Sequence, residues 1–226
     1  MVGYKLTLIL MELDTATQQH FLNGLLKGNR LLCSSIVIDL IKNNVSLKDI
    51  YEELIKKSLY EVGELWEFNK ISVATEHLAS AIAESILNEH YLLVASHKKI
   101  NKTVLLACIE NEHHQIGVKM IGDIFEMNGW NTFFLGSNTP TSDLIAFAKT
   151  IHIDFLAVSL SIYFHLPELE KLIKEFQKEF SDIPILVGGQ AFRHGGGELI
   201  KKYPNVVYQP NLISTDKFIK TLYNYE

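Results

Sequence analysis

His114 is the residue around which chemistry is expected. Glu112 lies two residues before it and Gly117 three after it, within the polar stretch Glu110-Asn111-Glu112-His113-His114-Gln115-Ile116-Gly117. An imidazole can give one ring nitrogen to a metal while the other donates to a carboxylate that fixes the tautomer and raises basicity. Glu112 is placed to be that carboxylate, and a glycine at 117 lets a helix start approach a bulky ligand. A second group lies upstream: Trp66, then nine residues, then Glu76-His77, with Val73 three residues before Glu76. On a helix Val73, Glu76 and His77 fall at i, i+3 and i+4 and share one face. Polar Glu76 and His77 on a largely apolar bundle face would cost free energy unless they line a pocket or pair with something. The two groups fit a cap over the upper face of a flat metallocofactor and a histidine ligand for its lower face.

The elements that must position these residues change character along the chain. From about Asp14 to Ser96 apolar residues recur at helical spacing. Phe21, Leu22, Leu25 and Leu26 form one face, ended by Gly28-Asn29. Leu31, Leu32, Ile36, Leu40 and Ile41 form a second, ended by Asn43-Asn44. Ser46 reads as the N-cap of a third helix, with Asp49 in capping-box position, running through Ile50, Leu54, Leu59, Val62 and Leu65. Ser72 caps a fourth, carrying Leu78, Ala81, Ile82, Ile86 and Leu87. Four helices with short connections predict an antiparallel bundle over residues 14–98. After a short basic linker near His97–Asn101, β-rich runs at Thr103–Cys108, Asn131–Leu135, Phe155–Leu160, Ile185–Val187 and Val206–Tyr208 alternate with helical stretches near 117–128, 141–151, 167–180, 195–203 and 214–224. Alternation of this kind predicts an α/β fold, a Rossmann-like (flavodoxin-like) five-stranded parallel sheet over residues 101–226.

Ligands of such sheets bind outside the carboxyl ends of the strands. Those ends carry the Glu112–His114 stretch, Gly136-Ser137-Asn138-Thr139-Pro140, Ser159-Leu160-Ser161 and Gly188-Gly189-Gln190. Paired glycines permit close backbone approach, and Ser159 or Ser161 can donate into a slot between strands. Each feature alone has a plainer meaning. An isolated Glu-x-His on a loop is commonly a solvated ion pair, Gly-Gly a turn, and a tryptophan near a helix-start Glu-His pair a core residue. His113 competes with His114, but only His114 has the spacing to Gly117. No Gly-x-Gly-x-x-Gly follows the first strand, which disfavours a dinucleotide cofactor, and no His-Glu-x-x-His is present, which disfavours a zincin. Gly195-Gly196-Gly197 is expected to start a helix rather than hold phosphate.

Composition removes several classes of function. The 226 residues are 47% hydrophobic and 21% charged, which suits two globular domains and excludes a disordered or fibrous chain. Net charge is −5 and the lysines are scattered as Lys56-Lys57, Lys98-Lys99 and Lys201-Lys202, so no clustered basic face offers itself to nucleic acid. Cys33 and Cys108 are far apart, which excludes a disulfide framework and a thiolate zinc site and predicts a reducing, cytoplasmic setting. The apolar run Leu6 to Met11 is too short for a leader or a membrane span, so a soluble, unexported protein with no membrane contact is expected.

Taken together, Glu112-x-His114-x-x-Gly117, Ser159-x-Ser161 and Gly188-Gly189 resemble the Asp-x-His-x-x-Gly, Ser-x-Leu and Gly-Gly series of the cobalamin-binding domains of methionine synthase, corrinoid methyltransfer proteins and carbon-skeleton mutases. The resemblance implies that His114 displaces the dimethylbenzimidazole base as the lower cobalt ligand, that Glu112 supports it, and that the nucleotide tail runs between the serine and glycine positions. Glu112 in place of Asp and Ser161 in place of Leu depart from that series. Trp66, nine residues, then Glu76-His77 resembles the signature of the CarH-type adenosylcobalamin photoreceptors, in which these residues surround the 5′-deoxyadenosyl group. That family also carries Glu in its lower-ligand motif, and the match spans roughly residues 15–226.

By this resemblance the chain is an adenosylcobalamin-binding light sensor without catalytic turnover. It would hold the cofactor between bundle and sheet domain through Trp66, Val73, Glu76, His77, Glu112, His114, Gly117, Ser159, Ser161, Gly188 and Gly189. Self-association and a separate transcriptional regulator or signalling partner are implied. Those photoreceptors begin with a MerR-type DNA-binding domain, and here only a short stretch precedes the first helix, so no direct contact with nucleic acid is expected by that route. Some members place a histidine just after the tryptophan, which takes the upper site after illumination; Glu67 stands there instead, leaving His77 or water as candidates. The competing function is that of a corrinoid protein carrying methyl groups between methyltransferases, and a third is passive cobalamin carriage.

Overall fold

The computed structural model describes residues 13–95 and 98–222, apart from the side chain of His194. The run Leu6–Met11, His97 of the linker and the end of the 214–224 stretch lie outside the described residues. The chain divides into two compact units, one ending at Glu89 and the other beginning at His90.

The first unit is helical. Asp14 caps α1 (Thr15–Leu26) by accepting from the Thr17 N–H at 2.7 Å, and Asn29 caps α2 (Arg30–Lys42) by accepting from the Leu32 N–H at 3.1 Å. Gly28, at φ +69°, makes the turn between them beneath the Leu78 side chain. Ser46 caps α3 (Leu47–Asp49), accepting from the Asp49 N–H at 3.1 Å and donating to the Asp49 carboxylate at 2.6 Å. This helix passes through a π-helical stretch, Ile50–Lys56, into α4 (Lys57–Glu67). Ser72 then accepts from the Thr75 N–H at 3.1 Å at the start of α5 (Val73–Glu89).

The predicted four helices and their caps are present, with two corrections to the inward faces. Cys33, Ile36, Val37 and Leu40 are buried on α2, whereas Leu31 is 84% exposed. On α5 the inward positions belong to Ala79, Ile82, Ala83, Ile86 and Leu87, with Leu78 and Ala81 outside. These helices carry more apolar residues than one stripe can hold, so periodicity alone leaves the stripe edges undetermined.

The second unit opens with α6 (Tyr91–Val94) and then alternates β1 (Thr103–Cys108), α7 (Ile116–Met127), β2 (Asn131–Phe134), α8 (Thr141–Ala148), β3 (Phe155–Ser159), α9 (Leu166–Glu179), β4 (Ile185–Gly188), α10 (Gly197–Lys201), β5 (Val206–Tyr208) and α11 (Leu212–Thr221). All five strands are parallel, in the order β2-β1-β3-β4-β5. This is the Rossmann-like arrangement expected from the alternation. Gly196, at φ +92°, starts α10, as the triple glycine predicted. β1 and β3 are buried along nearly their whole length, as strands covered on both faces must be. Among the described residues no helix is long and apolar enough to cross a membrane.

Strand order decides where the site falls. The chain leaves β1 towards one edge of the sheet and β3 towards the other, so the loops after β1 and β3 part company at a topological switch point. Cys108, Ser159 and Gly188 stand side by side at that carboxyl edge, in register across β1, β3 and β4.

Candidate functional site

Glu112 is the hub of the β1–α7 loop. Its side chain is fully buried, while that of His114 is 60% exposed. One carboxylate oxygen accepts from the His114 N–H at 3.0 Å and from the His114 ring at Nδ1. The other accepts from the N–H groups of Ser161 at 2.7 Å and Ile162 at 3.0 Å, both in the loop after β3. Burial by itself would raise the carboxyl, but the His114 ring, the His114 N–H and the two β3-loop N–H groups outweigh it and hold it at about 2. Glu112 is therefore an anion at any ordinary pH. An anion only accepts, so His114 carries a hydrogen on Nδ1, and Nε2 is the ring nitrogen that would meet a metal when the ring is neutral.

The loop is fixed from below as well. The buried Cys108 thiol donates to the His114 carbonyl at 3.5 Å. Burial first, and then the Glu112 charge, push that thiol up to about 12, so it stays protonated and unreactive. His113 is exposed, and the carboxylate engages its neighbour instead. Gly117 lies exposed in the first turn of α7, where an added Cβ would meet nothing within 4 Å. That open space permits the close approach expected of this position.

The serine and glycine positions have different surroundings. Ser159 is buried at the end of β3. Ser161 contributes its main-chain N–H to Glu112, so serine in place of leucine does not alter that bond. Gly188 and Gly189 answer first to their own chain. A Cβ on Gly188 would lie 3.3 Å from the Gln209 carbonyl oxygen, and one on Gly189, at φ +113°, would lie 2.1 Å from the Leu160 carbonyl oxygen. Gly189→Ala is therefore expected to destabilise the protein by roughly 2–4 kcal/mol, combining left-handed strain with a backbone clash. Urea denaturation should show a lower midpoint at unchanged slope. An unshifted midpoint would mean that the β4–α10 turn relaxes freely.

In the helical unit the structure gathers Trp66, Val73, Glu76 and His77 around the α4–α5 turn. The end of α4 is a Schellman motif: the Asn69 N–H, from a residue at φ +54°, bonds the Trp66 carbonyl at 2.9 Å, and the Lys70 N–H bonds the Leu65 carbonyl at 2.8 Å. Trp66 is 49% exposed, and Phe68, Val73 and Leu78 are also exposed. Glu76 accepts from the Ser80 hydroxyl at 2.8 Å and lies 3.5 Å from His77 Nε2. The expected burial cost of the Glu76-His77 pair does not arise, because His77 is 74% exposed. The sequence left that burial undetermined because the pair sits on the first turn of α5, ahead of its inward stripe.

Sequence reasoning missed two contributors: Ile162 and Cys108. Ile162 acts through an N–H that nearly every residue has. Cys108 offered a signal in its position at a strand end.

Among the described residues no three His, Cys, Asp or Glu side chains converge as an all-protein metal site would require. One outward imidazole backed by a buried carboxylate, beside open space at Gly117, instead fits a metal whose remaining ligands come from a macrocycle.

Relatives agree with that fit. Residues 102–209 match the family described as B12 binding domain, and residues 17–89 match a second family of the same description. Two curated relatives are repressors of Myxococcus xanthus. The HTH-type transcriptional repressor CarA is 28% identical over 124 residues, covering 55% of this chain and 43% of the relative. The HTH-type transcriptional repressor CarH is 27% identical over 146 residues, covering 63% and 48%. The chain thus spans less than half the length of either. The monomethylamine corrinoid protein of Methanosarcina barkeri superposes with a TM-score of 0.77 at 14% identity, over 89% of this chain and 96% of that one, which shows a shared fold. The two family matches, with the two curated relatives, support a cobalamin-binding family.

Proposed function

We propose that this protein is an adenosylcobalamin-dependent light sensor that signals through its state of assembly or a protein partner, without catalytic turnover. The observation that carries the proposal is the buried Glu112 anion bonded to Nδ1 of the largely exposed His114 ring at the switch point. Bound adenosylcobalamin supplies a cobalt–carbon bond that visible light cleaves. His114 would hold the cobalt through its ring, and Glu112 would keep its Nδ1 protonated. Trp66, Val73, Glu76 and His77 would shelter the adenosyl group, a role supported by three of the four standing exposed and by the Ser80 bond to Glu76. A regulatory role is supported by the two curated relatives, both repressors by name; the corrinoid protein is alike in fold alone.

Absorption and sedimentation, recorded with adenosylcobalamin in darkness and after illumination, test the proposal. Sensing requires the sedimentation coefficient, or capture of a defined partner, to change with light. Photolysis without either change counts against sensing, since free adenosylcobalamin photolyses too. Methyl transfer to a thiol by the methylcobalamin-loaded protein with a partner enzyme would establish the shuttle instead. Trp66→Ala is expected to reduce the preference for adenosylcobalamin over methylcobalamin about tenfold, the equivalent of ~1.4 kcal/mol. Unchanged selectivity in a titration of both forms would remove Trp66 from the cap.

A further inference from the structure

We infer that Asn138 is a positioning residue for the proposed cobalt ligand, a role that rests on the assignment of His114 above. Asn138 lies in the loop between β2 and α8, distant in sequence from the β1–α7 loop. Its side-chain oxygen accepts from the Asn111 N–H at 2.9 Å, and its own N–H donates to the Glu112 carbonyl at 2.7 Å. These two bonds grip the 110–111 and 112–113 peptide groups, one before the Asn111 Cα and one after the Glu112 Cα. The same residue's carboxylate is anchored at its far end by Ser161 and Ile162. Glu112 is thus held by loops from three strands: its own after β1, the Asn138 loop after β2 and the serine loop after β3.

Both ends of the Asn138–Asn111 clasp are left-handed, with Asn138 at φ +50° and Asn111 at φ +66°. Asparagine tolerates that conformation where other side chains resist it. An acceptor is also required at position 138, which glycine lacks. The pair therefore fixes the Glu112 main chain, the Glu112 carboxylate fixes the His114 ring, and a small displacement at the first is passed to the ring plane. Second-layer contacts of this kind tune how well a histidine ligates.

Cobinamide separates this role from general stability, because it has no benzimidazole of its own and any axial nitrogen must come from the protein. Cob(II)inamide bound to the wild-type protein, to Asn138→Gly, to Asn138→Asp and to His114→Ala would be examined by electron paramagnetic resonance for nitrogen splitting. Asn138→Gly keeps the left-handed backbone and its N–H but loses the acceptor; Asn138→Asp restores an acceptor. The ratio of nitrogen-ligated to unligated cobalt is expected to fall about threefold to tenfold in Asn138→Gly, the scale of one hydrogen bond, and to return in Asn138→Asp. Corrinoid uptake and thermal midpoint should stay near wild type. Amide exchange of Asn111 in the wild-type protein gives a second readout without a variant, and protection is expected. An unchanged ratio in Asn138→Gly, or an unprotected Asn111 amide, overturns the inference while leaving His114 in place. Wild type and His114→Ala alike in lacking nitrogen splitting would instead overturn the His114 assignment, and the inference with it.

Discussion

Replacing His114 with alanine is expected to abolish ligation of cobalamin by a protein nitrogen while leaving the fold intact. The ring is largely exposed, so its removal creates no cavity, and Glu112 keeps its bonds from the His114, Ser161 and Ile162 N–H groups. The cost to folding should stay within about 1 kcal/mol. Affinity for the histidine-ligated form should fall by about 100-fold or more, beyond the range seen when only an outer partner of a ligand is removed. Protein grown with nitrogen-15 histidine makes the measurement direct. In the cobalt(II) state the nitrogen splitting of the wild type should change with the label, and that of His114→Ala should not. A label-dependent splitting that survives in His114→Ala, and disappears only in His113→Ala, would move the ligand to the neighbouring imidazole.

Glu112→Gln should have the second largest effect, and it acts on the empty protein as well as the loaded one. The carboxylate accepts on both oxygens from four donors in all. An amide has one acceptor oxygen and two N–H donors, so whichever way it is turned, donors face donors on one side. Buried donors left unsatisfied and charge-assisted bonds lost place the cost at about 2–4 kcal/mol near neutral pH. The pH dependence has a definite sign. The carboxyl lies near 2 in the folded protein against an ordinary 4.5, so the folded state binds this proton more weakly than the unfolded chain does. Its stabilisation is complete above the ordinary value and is lost as pH falls towards the folded one. In urea denaturation of the cobalamin-free proteins, the gap between wild type and Glu112→Gln should therefore narrow steadily between about pH 5 and pH 2.5. A gap that stays constant across that window would mean the ionised carboxylate is not what steadies the loop.

Much of this molecule was legible locally. Caps at Ser46 and Ser72 act on residues three positions away, and hydrophobic period separates helix from strand over a few turns. The partnership of Glu112 with His114 spans two residues, and a loop short enough to fold back makes it nearly independent of the rest. The faces of α2 and α5 were less legible. Leu31 and Leu78 fit the helical period, yet stand outside, because period fixes a direction only to within the width of the stripe. The Gly188-Gly189 pair lies against the Gln209 and Leu160 carbonyls, neighbours that two glycines in sequence do not disclose.

The sequence by itself determined the two-part order of helices and alternating strands, the Glu112–His114 pair and the places of Trp66 at the end of α4 and of Val73, Glu76 and His77 at the start of α5. Those depend on contacts a few residues long, which side-chain type and spacing encode directly. Only the tertiary structure decided that Glu112 is the meeting point of three loops. The bonds that make it so come from Ser161, 49 residues away, and from the Asn138 loop, whose clasp on Asn111 spans 27. They form because β1 lies between β2 and β3 in the sheet. Several of their donors are main-chain N–H groups, which are the same in every residue but proline and so leave no trace in the sequence.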